Sequence, residues 1–63
     1  MKAELLKVIL AVVALPGAQV EGNVPILRAA DRASAEKKAD LIARILDAMV
    51  HDVGDGVFLI VRH

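Results

Sequence analysis

Four side chains close together in the sequence are of types that hold metals or move protons: His51, Asp52, Asp55 and His63. Histidine nitrogen and carboxylate oxygen are adequate zinc or divalent-metal ligands. The spacing is poor for that purpose. No His-x-x-x-His pair and no cysteine accompany them, and the turn at Gly54-Asp55-Gly56 is too short for a calcium loop. A solvated helix end and turn is the better reading, so no metal is assigned. Nucleophilic catalysis fares no better. Ser34 is the sole serine, threonine is absent, and a helix cap is its natural use. Arg28, Arg32 and His51 remain as a possible polar site, and no residue is assigned a catalytic role or a cofactor.

The element that must position these groups is a helix expected over Ser34–Val53. Ile42, Ile45, Leu46, Met49 and Val53 recur at steps of three and four, which places them on one side of a 3.6-residue helix. Ser34 is the expected N-cap, with Asp31 the other candidate, and Gly54 the expected stop. Asp40–Arg44 and Asp47–His51 would then be (i, i+4) pairs.

Beyond the helix, Val57–Val61 (VFLIV) is apolar at every position and rich in β-branched residues. That pattern marks a strand covered on both faces. Val24–Ala29 is a short strand candidate, and Pro25, which cannot donate to a ladder, confines it to an edge. Met1–Leu15 is ambiguous. Its eight-residue apolar run Val8–Leu15 suits a buried strand or helix, and the polar-apolar approach before it tips the expectation to helix. A signal peptide is disfavoured by Glu4 and Lys7, and the run is too short to span a bilayer. Residues 16–23 carry loop chemistry.

These elements give a single domain, residues 1–63, of α/β class with α+β as the variant. It would be a small two-layer βαβ unit with one long amphipathic helix and an N-terminal helix or strand. The parallel crossover would join Val24–Ala29 to Val57–Val61. With 57% hydrophobic residues and no cysteine to add disulfides, a chain this short has more apolar surface than a lone core can hide. Self-association is the simplest outlet, most simply a homodimer that completes the sheet. Contact residues are then expected among Ile42, Ile45, Met49, Phe58, Leu59 and Ile60. Zero net charge and a single aromatic argue against a nucleic-acid partner. A cytoplasmic, non-catalytic interaction or self-assembly module follows, with self or another protein as partner and membrane association disfavoured.

The alternative is a small enzyme. Arg32-Ala33-Ser34-Ala35-Glu36-Lys37-Lys38 and Leu41-Ile42, between a short Pro-led strand and Val57–Val61, loosely resemble the small oxalocrotonate-tautomerase subunit. That resemblance implies a βαβ subunit that oligomerises around an amino-terminal proline base. Here Pro25 is internal and its nitrogen is an amide with no basic lone pair, so the chain is not assigned to that family. A site at a subunit interface built from Arg28, Arg32 or His51 is what would remain of the enzyme reading.

Overall fold

The computed structural model describes residues 8–63. It shows a small α+β fold: a four-stranded sheet with one helix on it among the described residues. In chain order the elements are β1 (Val8–Ala14), β2 (Ile26–Arg28), α1 (Arg32–Leu46), β3 (Met49–Gly54) and β4 (Val57–Arg62). The sheet order is β2-β1-β4-β3. β1 pairs parallel with β2 and antiparallel with β4, and β3 and β4 form an antiparallel hairpin.

The two-layer class stands, and its internal connections differ from expectation. The Val8–Ala14 segment is a strand, not the helix that its approach suggested; Met1–Lys7 lies outside the described residues. Val8, Ile9, Val12 and Val13 stiffen the backbone toward β geometry. β2 and β4 are not neighbours, because β1 lies between them. The parallel partner of β2 is β1, reached through the loop of residues 15–25 without a helix. The Val12 N–H donates to the Pro25 carbonyl (2.9 Å) and the Ala29 N–H to the Ala14 carbonyl (3.0 Å). Pro25 thus stands at the start of an edge strand, where its missing donor costs nothing.

The helix is shorter than its periodicity. Its N-cap is Asp31, whose carboxylate accepts from the Ser34 N–H at 2.8 Å, so Ser34 lies inside the first turn. It ends at Leu46 because Asp47 adopts the left-handed conformation (φ 55°, ψ 52°), and the Ala48 N–H returns to the Ala43 carbonyl at 2.8 Å. Met49–Val53, expected as the last turns of the helix, falls in strand β3. The Asp47–His51 helical pair therefore does not exist, whereas Asp40 and Arg44 do pair at 2.6 Å.

Asp47→Gly tests this boundary by the sign of its effect. Glycine enters the left-handed region without the Cβ penalty, so the fold should gain about 0.5–1 kcal/mol and melt roughly 2–8 °C higher. Were residue 47 inside a longer helix, the same change would instead cost about 0.3 kcal/mol, since aspartate is itself a poor helix former. Thermal unfolding followed by circular dichroism separates the two.

The helix approaches the sheet through Ala35, Ala39 and Ala43, which are buried at four-residue steps. Opposite them are Ala11 and Val13 of β1 and Phe58 and Ile60 of β4. Ile42, Leu46, Leu27 and Val50 flank this core. Leu41 and Ile45 lie on the outer part of the helix, and Ile45 is 80% exposed. The tip of the β3–β4 hairpin is Asp55-Gly56, with φ of 55° and 75°, between the paired Gly54 and Val57. Positive φ at both central residues defines a turn whose twist matches the strands.

Candidate functional site

Side chains alternate between the faces of a strand, and paired residues share a face. The registers place Ala11, Val13, Leu27, Val50, Asp52, Phe58 and Ile60 on the helix side. The opposite face carries Ile9, Val12 and Ala14 of β1, Ile26 and Arg28 of β2, Val57, Leu59 and Val61 of β4, and Met49 and His51 of β3. Burial agrees with this division: Val12 and Ala14 are buried yet stand outside the core cluster under the helix. No second helix or sheet covers this open face among the described residues. Its rim is well exposed at Ile9 (43%) and Met49 (57%). An apolar sheet face that carries no helix or second sheet among the described residues, with exposed side chains at its rim, is a surface of the kind that marks contact sites.

The polar residues singled out in the sequence do not converge. Arg32, at the start of α1, pairs with Asp52 of β3 and with Glu36 (3.0 Å), and its guanidinium carbon sits 5.4 Å from the centre of the Phe58 ring. This arrangement ties the helix start to the hairpin on the helix side. Arg28 lies on the open face, where its Nη1 donates to the carbonyls of Leu15 (3.0 Å) and Ala18 (2.8 Å) and holds the start of the 15–25 loop. His51 and His63 meet through their Nε2 atoms at 3.0 Å, one ring donating and the other accepting. Asp52 faces away from that pair, and no group of three metal-ligating side chains is found among the described residues. No pocket occurs among them either.

Of the expected contact residues, Met49 and Leu59 are on the open face, and Ile45 is exposed on the helix. Ile42 is half-buried beside the core, while Phe58 and Ile60 are inside it. Sequence reasoning overlooked Ile9, Ile26 and Val61 as companions of Leu59 on one face. The signal was available for the hairpin: Asp55-Gly56 between apolar runs is a strong turn dipeptide, and it fixes which residues of β3 and β4 share a side.

Two carboxylates link these features to pH. Asp52 is held below its ordinary value of 3.8, first by the Gly54 N–H and then by Arg32. Asp31 is lowered likewise, chiefly by the Ser34 N–H it caps. A carboxylate whose folded pKa is depressed contributes stability above its unfolded pKa, and that contribution is lost as pH falls through the folded value. Thermal stability should therefore drop below about pH 4, and Asp52→Asn should flatten that acid limb. A melting-temperature series from neutral pH to strong acid checks both.

Comparison with known proteins places the chain. The chain belongs to the family described as "Capping complex subunit for YIEGIA", whose model matches residues 6–63. It is also similar to the uncharacterized protein YpzH of Bacillus subtilis (strain 168), at 38% identity over 63 residues, covering all of this chain and 98% of that protein. No solved structure matches the chain. As a family of capping-complex subunits, it has protein partners in a complex. No helix among the described residues is long and apolar enough to cross a membrane.

Proposed function

We propose that the chain is a non-catalytic subunit that docks through its open sheet face onto a protein partner, the YIEGIA protein of its family's description. The observation that carries this reading is the apolar face of Ile9, Ile26, Met49, Val57, Leu59 and Val61, none of them buried and Ile9 and Met49 well exposed, around the buried Val12 and Ala14. β4 has the composition of a strand buried on both sides, and the helix supplies one of those sides. A partner supplies the other. The dispersal of Arg28, Arg32 and His51 into three separate sets of contacts supports a contact role over an enzymatic one.

Self-association, most simply a homodimer with one open face on the other, is the second reading. It is favoured by the thin core, in which Ile60 and Val13 are the largest fully buried side chains. Light scattering on the purified chain, alone and mixed with the YIEGIA protein, tests both. A stoichiometric mixed complex supports docking and a dimer alone supports self-association. A monomer that ignores the partner would remove the proposal. The cytoplasmic location expected from the sequence belongs to the same reading, and fractionation of cells producing a tagged chain checks it.

A further inference from the structure

The open face has a charge pattern as well as an apolar one. None of the four strands places a carboxylate on it: Asp52, the strand acid, is on the helix side with Arg32. Arg28 is the formal charge that the strands do place there, on the exposed edge strand β2. No carboxylate of the described residues forms a salt bridge with it.

Arg28 is also held in an unusual way. Among the described residues, both of its side-chain hydrogen bonds come from Nη1, one to the Leu15 carbonyl and one to the Ala18 carbonyl. Guanidinium has five N–H donors, and two of them belong to Nη1. The bonds therefore use one end of the fork and leave the Nε–Nη2 edge unspent. That edge presents two parallel donors and fits the two oxygens of a carboxylate. The backbone acceptors fix the side chain without neutralising its charge, so little rotamer freedom remains to be lost on binding.

Size points the same way. Strands of seven, three, six and six residues, rising about 3.3 Å per residue and set about 4.8 Å apart, give a footprint of roughly 350 Å². A standard interface buries about 800 Å² on each partner. Apolar contact on this face is thus small, and a directional charged anchor at its rim would add what area does not. Two copies stacked face to face would bring two Arg28 side chains and no strand carboxylate into one interface, which disfavours a second copy as the occupant.

We propose that Arg28 is a carboxylate-binding anchor of the docking face, and that the partner segment seated there is apolar with an Asp or Glu side chain, or a terminal carboxylate, set against the Nε–Nη2 edge. This rests on the sheet face being the docking surface. The test measures binding of the full-length chain to purified YIEGIA protein for the wild type, Arg28→Gln, Arg28→Lys and Leu59→Asp, with circular dichroism confirming that each folds. Arg28→Gln should weaken binding about tenfold or more, and Arg28→Lys should recover only part of it, since a point charge lacks the paired donors. Wild-type affinity should fall as salt is raised from about 50 to about 500 mM, a dependence that a role confined to holding the loop would not produce. Wild-type affinity in Arg28→Gln, or salt-independent binding, overturns the anchor while loss in Leu59→Asp keeps the face. Undiminished binding by Leu59→Asp, or none by the wild type, removes the docking face and the anchor with it.

Discussion

Leu59→Asp is expected to abolish association with the YIEGIA protein, with a loss of about 100-fold or more in Kd. Leu59 is on the open face of β4, an interior strand, between Val12 of β1 and His51 of β3. In the free chain it is half-buried, so an introduced carboxylate reaches water along the uncovered side. In a complex that side is closed, and the carboxylate is dehydrated among Val12, Val57 and Val61 with no strand cation opposite. An unpaired charge at the centre of an apolar interface costs several kcal/mol, and central interface positions are those where substitution has its largest effect. Because any change in β4 risks the fold, Met49→Asp is the companion variant. Met49 is on the same face at the edge strand and is 57% exposed, so the free chain tolerates a charge there. Both variants should lose the partner while keeping a cooperative thermal transition. Titration calorimetry on the folded variants decides the matter: binding within threefold of wild type by both would show that the contact is made elsewhere.

Much of the architecture is legible in the residues, and the failures share one cause. Val57–Val61 declares itself by an unbroken apolar run, and its demand for two covering layers is met on one side only. The helix start is only half legible: Ser34 is the expected cap and Asp31 the second candidate, and it is Asp31 that caps. The helix end is not legible. Met49 and Val53 continue the three-and-four spacing of Ile42, Ile45 and Leu46 by coincidence, so the period runs on through a residue that breaks the backbone. That residue is Asp47, which takes the left-handed conformation without advertising it as glycine would. The same period misplaces the helix's buried face. Large residues suggest Ile45 as a core position, yet the sheet is met by Ala35, Ala39 and Ala43, because small side chains allow close approach. Strand partners are the least legible of all. β1 takes β2 on one side and β4 on the other, and the second pairing spans most of the chain. No local pattern encodes such a choice.

The candidate site follows that division. Excess apolar content foretells a contact surface, but its location depends on the sheet order and on which side the helix takes. Arg28 stands out in the sequence as one of several cations. Its single-ended bonding to two loop carbonyls exists only once β2 lies beside β1 and the 15–25 loop begins next to them.

The second large effect is on folding itself: Ile60→Ala should remove most of the stability of the fold. Among the described residues, six of the ten buried apolar side chains are alanine (Ala11, Ala14, Ala29, Ala35, Ala39 and Ala43), so few large side chains are left to exclude water. Ile60 is fully buried, paired with Ala11 on one side and Val50 on the other, and covered by the helix. Truncating such an isoleucine costs about 2–5 kcal/mol, from lost transfer energy and the cavity left behind. At about 0.05–0.15 kcal/mol per residue, a domain of this length holds only roughly 3–9 kcal/mol in total. Neighbouring alanines have no side-chain length with which to fill the gap, which places the cost toward the upper end. Ile45→Ala supplies the contrast. Ile45 is 80% exposed, so its truncation should change stability by no more than about 0.5 kcal/mol. The sequence period alone would put Ile45 on the core face and give the two isoleucines comparable weight. Urea unfolding of both variants by far-ultraviolet circular dichroism distinguishes these outcomes. Equal destabilisation would mean that the helix presents another face to the sheet.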